Sequence, residues 1–114
     1  MTRNLLDETI LVLKENGKTI EDIVWVGSKG GQYILPLSEI EIVLNIDYDS
    51  GYGAQEIASD LVIVGKDWWM ERDEYDGSEW WSFKKIPILS NDPKIINKIG
   101  CGTWDTIEDM GGKL

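Results

Sequence analysis

The chain lacks histidine altogether and contains a single cysteine, Cys101, among its 114 residues. Without histidine, the commonest general base, the commonest metal ligand and the usual partner of serine or cysteine nucleophiles are missing. Any catalysis would therefore rest on carboxylates, lysines or tyrosines. One cysteine cannot close an intramolecular disulfide, which argues against a disulfide-stabilised secreted scaffold, and we expect Cys101 to be an inert thiol.

Long apolar runs are lacking as well. No run approaches the roughly 18 residues that a transmembrane helix needs. The first residues include Arg3, Asp7 and Glu8, and they contain no uninterrupted apolar stretch of the kind found in signal peptides. We therefore expect no membrane segment and a cytoplasmic location.

Basic residues are scarce, because 11 lysines and arginines stand against 21 aspartates and glutamates, giving a net charge of −10. Such a surface repels phosphate backbones and anionic membranes, which disfavours direct binding to nucleic acid or lipid. A protein partner with a basic surface is compatible with it, although acidity also suits solubility alone. The length predicts a single domain, residues 1–114.

The beginning of the chain predicts a helix over residues 5–16. Asn4 can cap its N-terminus, and Asp7 lies where the helix dipole favours negative charge. Gly17 can adopt the left-handed conformation that ends a helix. The apolar face of this helix is predicted to contain Leu6, Ile10 and Leu13.

Strands and further helices follow from β-branched runs and turn signals. The predicted strands are 23–26 and 33–35, then 61–64, 67–74 and 79–85. Helices are predicted at 54–59, at 91–100 and just after Thr103, and a turn-rich loop at 47–53. Residues 38–44 also fit an alternating strand, but Ser38 and Glu41 match a capping box, which favours a helix. The predicted fold class is α+β, with an antiparallel sheet (an N-terminal hairpin plus a three-strand meander) and helices packed mainly on one face.

The most unusual segment is WWMERDEYDGSEWW, residues 68–81, in which two Trp-Trp pairs flank five acidic residues. A turn of even length at Asp76-Gly77 pairs Arg72 with Trp81 and gives one coherent core face. That face contains Trp68, Met70, Trp81 and Phe83. A three-residue turn would shift the register by one position and divide the apolar residues between both faces.

The other face of the hairpin is predicted to display aromatic and acidic side chains together. Exposed tryptophan and tyrosine are typical of protein-binding hot spots. The candidate partner-binding residues are Trp69, Glu71, Asp73, Glu74, Tyr75 and Trp80. The alternative is that the C-terminal segment folds over this face and buries Trp69 and Trp80.

Two other classes of function stay open. Carboxylates on alternate strand residues lie about 6.6–6.8 Å apart, comparable to neighbouring phosphates, so the hairpin could imitate nucleic acid and inhibit a nucleic-acid-binding or defence protein. Carboxylate pairs such as Glu71 and Asp73 could instead serve a small enzyme.

The loop around Asp47 lacks the calcium-loop pattern, and the glycine-rich residues 27–31 lack the spacing of a phosphate loop. No metal and no cofactor are predicted.

Two adjoining strings, DYDSGYGAQEIASDLVIVG (47–65) and DWWMERDEYDGSEWW (67–81), are the most distinctive part of the chain. They resemble small uncharacterised proteins encoded by phages and prophages of low-GC Gram-positive bacteria, and TIEDIVWVGS (19–28) extends the resemblance more loosely. The resemblance transfers no functional residues. It implies an accessory protein that acts inside a bacterial host, and the predicted function is non-enzymatic binding of a protein partner through the aromatic-acidic hairpin.

Overall fold

The computed structural model describes residues 2–49, 53–100, 102 and 106–111. Its elements follow in the order β1 (Thr2–Asn4), α1 (Leu5–Glu15), β2 (Trp25–Ser28), α2 (Ile40–Val43), β3 (Asp47–Asp49), β4 (Leu61–Val64), β5 (Trp68–Tyr75), β6 (Ser78–Lys85) and α3 (Ile107–Gly111). Two single 3₁₀ turns, Ile20–Asp22 and Leu37–Glu39, precede β2 and α2.

The strands form two antiparallel sheets, which confirms the α+β class. One sheet has four strands in the order β2-β4-β5-β6, and the other pairs β1 with β3. The meander β4-β5-β6 is the predicted one. Within the described residues, no helix is both long and apolar enough to cross a membrane.

The hairpin of β5 and β6 has the predicted register. Asp76 and Gly77 both have positive φ, 52° and 84°, as a two-residue type I′ turn requires. Tyr75 is therefore opposite Ser78, and Arg72 is opposite Trp81. The even turn puts the large apolar side chains of both strands on one side of the sheet, the inner face.

The core lies between this inner face and the helices. Met70 and Ile63 are fully buried there, and α1 packs against β6. Trp68 stacks on Phe83 with ring centroids 5.3 Å apart. Its indole lies so close to Gly65 that a Cβ at that position would be 2.0 Å from a ring atom. Only glycine fits between β4 and the Trp68 ring.

The first helix begins as predicted, because the Asp7 backbone N–H donates to the Asn4 side chain at 3.0 Å. Its buried side is different, and the prediction that Ile10 faces the core is wrong. The row facing the sheet is Leu5, Thr9 and Leu13, one residue per turn, whereas Ile10 is exposed. Thr9 occupies this row because its hydroxyl has a buried partner there: the Trp81 indole N–H donates to it at 2.8 Å.

Two elements that the sequence predicts in the first half of the chain differ in the structure. The returning strand at 33–35 forms only one isolated bridge, between Ile34 and Gly27. The predicted loop at 47–53 contains β3, which pairs with β1, a long-range contact that no local pattern signals. Residues 38–44 are helical as predicted, over Leu37–Glu39 and then α2, although neither helix has a side-chain cap.

Two predicted helices are absent from the described residues. Residues 54–59 do not form a helix. The backbone N–H groups of Glu56 and Ile57 donate to the Glu79 carboxylate, at 2.7 and 3.3 Å, which holds this segment against β6. Residues 91–100 have no secondary structure. A short helix rich in β-branched isoleucine is not stable in water without a surface to pack on. Of the turn predicted after Thr103, residues 103–105 lie outside the described residues, and Ile107, its last predicted member, begins α3.

Candidate binding face of the β5–β6 hairpin

Strand alternation assembles a mixed aromatic and charged surface on the side of the hairpin opposite the core. We call this surface the outer face. It comprises Trp69, Glu71, Asp73, Tyr75, Trp80, Ser82 and Lys84. Five of the six predicted binding residues lie on it together. The sixth, Glu74, belongs by register to the other side of the strand.

The most exposed rings are at the turn end of the outer face. Tyr75 is 76% exposed and Trp80 is 38% exposed. Asp73 is directly opposite Trp80 in the ladder, and Tyr75 is the diagonal neighbour of Trp80. These three residues, Asp73, Tyr75 and Trp80, are called the aromatic tip. Among the residues that the structure describes, the C-terminal segment does not bury Trp80, contrary to the alternative prediction.

Trp69 occupies the opposite end of the outer face and is only half-buried. The register places it between Val64 and Lys84 on the two neighbouring strands, with Trp25 in the same row one strand further away. Its indole N–H donates to the Glu71 carboxylate at 3.1 Å. Trp69 is therefore held within the sheet surface, while Trp80 is the more exposed of the two indoles.

Glu71 is neutralised by two lysines that the sequence did not assign to it. The ammonium of Lys84 lies 3.0 Å from one carboxylate oxygen, and that of Lys29 lies 3.5 Å from the other. The hydrogen bond from Lys84 is the largest of the effects that lower the pKa of Glu71, and the same bond raises the pKa of Lys84. This end of the outer face therefore has little free negative charge.

Glu74 stabilises the turn. Its carboxylate accepts a hydrogen bond from the Gly77 backbone N–H at 2.9 Å. The side chain is exposed at the end of the hairpin. It contributes negative charge beside the aromatic tip without sharing its face.

Beneath the outer face, the inner side of the hairpin contains a buried ionic cluster of Glu8, Tyr48, Arg72 and Glu79. The Arg72 side chain is completely buried. Its guanidinium donates to Glu79 at 2.9 Å and to Glu8 at 3.4 Å. A charge at such a depth is tolerated only when it is paired and hydrogen-bonded.

Aromatic groups complete the surroundings of Arg72. Its guanidinium lies 4.8 Å from the Trp81 ring centroid and 5.5 Å from that of Tyr48, within the range of cation–π attraction. The Tyr48 hydroxyl accepts from Arg72 at 3.1 Å and donates to Glu8. Burial raises the pKa of the Tyr48 phenol, and the hydrogen bond to Glu8 adds to this effect.

The cluster joins separate parts of the chain around the hairpin. Glu8 of α1 accepts from the Trp81 backbone N–H of β6 at 3.2 Å, and Glu79 accepts from the segment at residues 56–57. The Tyr48 phenol bonds to Glu8 and to Arg72. The two carboxylates, Glu8 and Glu79, accept hydrogen bonds from Arg72 and from backbone N–H groups. This arrangement fixes the hairpin against α1 and gives the outer face a rigid support.

The sequence contains a signal for this cluster in the alternation of strand residues. The predicted register already put Arg72 and Glu79 on the core face, between Met70 and the turn. Charged residues at core positions imply buried partners. Glu79 is therefore not part of the acidic surface that the hairpin sequence suggested.

The described residues contain no group of three or more acidic or cysteine side chains placed to hold a metal ion. Comparison of the chain with protein-family models, with curated proteins and with solved structures finds no match. The geometry of the hairpin is consequently the basis for a functional proposal.

Proposed function

We propose that this chain is a non-enzymatic accessory protein of the phage or prophage type, which binds a protein partner in a bacterial host through the aromatic tip. One observation carries the proposal: Tyr75 and the partly exposed Trp80 are diagonal neighbours on the outer face of a pair of long, regular strands. A small core that has room for Trp68 and Trp81 does not need two further rings on the opposite side.

The chemistry of these side chains favours a protein surface as the ligand. Tyrosine and tryptophan bury a large area on binding and lose little conformational entropy, because each has only two rotatable side-chain bonds. The strands that hold them are braced by the buried ionic cluster, so little backbone ordering is needed. A preorganised aromatic pair of this kind is what an interface hot spot requires.

The charge near the tip indicates the character of the partner. Asp73 lies beside Trp80, and Glu74 and Asp76 flank the turn. A partner with apolar pockets and lysines or arginines around them would match this combination. The cytoplasm of the host is the compartment in which we expect the two proteins to meet.

Imitation of nucleic acid is the runner-up proposal. It depends on a row of free carboxylates, but Glu71 in that row is paired with Lys29 and Lys84, and Glu79 is buried. This is why recognition through the aromatic rings comes first. A carboxylate-based enzyme is the third possibility, and it stays a prediction from the sequence.

Affinity capture from host lysate tests the proposal. We compare the wild-type chain with a Tyr75→Ala/Trp80→Ala variant. We expect the double variant to lose a partner that the wild type retains, with binding weakened about 100-fold or more, because each hot-spot ring contributes roughly 2 kcal/mol or more.

A matched control is available in Tyr33→Ala. Tyr33 is 75% exposed, almost the same as Tyr75, but it lies in the loop after β2. This variant should retain the partner. If Tyr33→Ala and the double variant capture the same proteins as the wild type, the aromatic tip is not the binding site. If DNA competes with this chain for the captured partner, and Asp73→Asn weakens the binding of the chain to that partner, imitation of nucleic acid is favoured instead.

A further inference from the structure

The two faces of the hairpin surround tryptophan with different groups at the same level of the sheet. On the inner face, Arg72 is directly opposite Trp81, and its guanidinium lies 4.8 Å from the centroid of that ring. On the outer face, the adjacent pair of the ladder is Asp73 opposite Trp80. A carboxylate therefore occupies the place beside Trp80 that a cation occupies beside Trp81.

The rings of the aromatic tip have free faces. Among the described residues, Tyr75 and Trp80 do not stack on each other, in contrast to Trp68 and Phe83, and no arginine or lysine lies over either ring. Diagonal neighbours on paired strands lie about 7–8 Å apart, and a flat group in van der Waals contact with a ring lies about 3.5–4 Å from it. The tip therefore has room for one flat group that contacts both rings.

The charge at the tip is negative and is not neutralised by the hairpin itself. Asp73 makes no salt bridge to any residue that the structure describes, and it is only the smallest of the effects that raise the pKa of Lys84. Lys84 is held toward the other end of the outer face by Glu71, at 3.0 Å. Glu74 and Asp76 add two carboxylates at the turn. The tip therefore attracts a cation.

We propose that the aromatic tip is an arginine-binding site, in which the guanidinium of an arginine on the partner protein stacks on Trp80 and Tyr75 and forms an ion pair with Asp73. This inference rests on the proposed function and names the side chain of the partner that the tip recognises. Arginine suits the tip better than lysine, because guanidinium is planar, is less strongly hydrated than ammonium and can donate two parallel hydrogen bonds to one carboxylate. The core holds its own arginine with the same kinds of group, since Arg72 lies over one tryptophan and one tyrosine ring and pairs with carboxylates.

Titration of the isotope-labelled full chain with short blocked peptides, followed by NMR, tests the site. The probes are Gly-Ser-Xaa-Ser-Gly peptides in which Xaa is arginine, lysine or glutamine. We expect a saturable shift of the Trp80 indole N–H signal with the arginine peptide, binding at least about 3-fold weaker with the lysine peptide, and no saturable shift with the uncharged glutamine peptide. The Trp69 indole N–H, which is bonded to Glu71, is the internal reference and should not shift. Equal affinity for the arginine peptide and either other peptide, or a shift at Trp69 alone, overturns the proposal.

Variants assign the binding to the named groups. Asp73→Asn removes the charge while nearly preserving the shape, and it should weaken binding of the arginine peptide about 3-fold. Asp67→Asn is the matched control, because it removes the same charge just before β5, at the far end of the hairpin, and it should leave the affinity unchanged. Trp80→Ala should abolish the saturable response, read at the backbone amide of Asp73. If Asp73→Asn and Asp67→Asn weaken binding equally, the peptide responds only to general acidity and the proposal is overturned.

This inference and the proposed function can fail separately. If Tyr75→Ala/Trp80→Ala loses the captured partner while all three peptides bind the wild type alike, the proposed function stands and the arginine site is overturned. If the arginine peptide binds selectively while the double variant captures the same proteins as the wild type, the arginine site stands and the proposed function fails.

Discussion

At the scale of single residues, Arg72 does the most to organise the molecule. Sequence reasoning predicted correctly that Trp68, Met70 and Trp81 face the core, because strand alternation and the turn at Asp76-Gly77 determine the register. It did not predict what would neutralise Arg72. The acceptors, Glu8 and Tyr48, are 64 and 24 residues away in the chain. Such contacts depend on how α1 and β3 pack, which local patterns do not contain.

Replacement of Arg72 by methionine should therefore destabilise the protein strongly. The variant Arg72→Met leaves Glu8 and Glu79 buried without their main cation, so we expect a loss of about 3–5 kcal/mol in the free energy of unfolding, measured by urea denaturation. The double variant Arg72→Met/Glu79→Gln should lose less free energy of unfolding than the sum of the losses in the two single variants. The surface pair provides the control, because Lys84→Ala removes an exposed partner of Glu71 and should have only a small effect. Equal losses for Arg72→Met and Lys84→Ala would contradict the assigned role of the cluster.

At the scale of elements, local signals determine α1 and the β5–β6 hairpin, but not the pairing of β3 with β1 or the conformation of residues 54–59 and 91–100. The β5–β6 hairpin was predictable in full, because a strong turn signal separates two alternating strands. The predicted helix at 54–59 was wrong, and the segment is held instead by the Glu79 carboxylate, a partner 23 and 22 residues away from Glu56 and Ile57 that no local pattern contains. The helix at 91–100 was wrong for another reason, because in the single chain it has no apolar surface on which to pack.

The turn is the element-scale feature most open to test. Gly77 has a φ of 84°, a conformation that costs an L-residue about 1–2 kcal/mol. We expect Gly77→Ala to lower the free energy of unfolding by that amount. Gly30→Ala is the matched control, because a Cβ there meets no atom within 4 Å and the φ of Gly30 is not positive, and it should change stability by less than about 1 kcal/mol. If Gly77→Ala leaves the free energy of unfolding unchanged, the turn does not determine the register.

At the scale of the whole molecule, two surfaces remain that the core does not explain. The aromatic tip lies at the turn end of the long hairpin, and residues 86–100, an extended arm without secondary structure, leave from the other end of β6. The α+β class and the position of the aromatic tip were predictable from composition and periodicity. The pairing of Glu71 with two lysines and the extended arm were not, because they depend on which segments the fold brings together.

The central claim is that the aromatic tip contacts a protein partner, and site-specific photo-crosslinking in host cells tests it most directly. A photoreactive phenylalanine analogue is placed at Tyr75 in one version of the chain and at Tyr33 in another. The account predicts a crosslinked partner from position 75, and none from position 33. A crosslink from position 33 alone, or the same products from both positions, would contradict it.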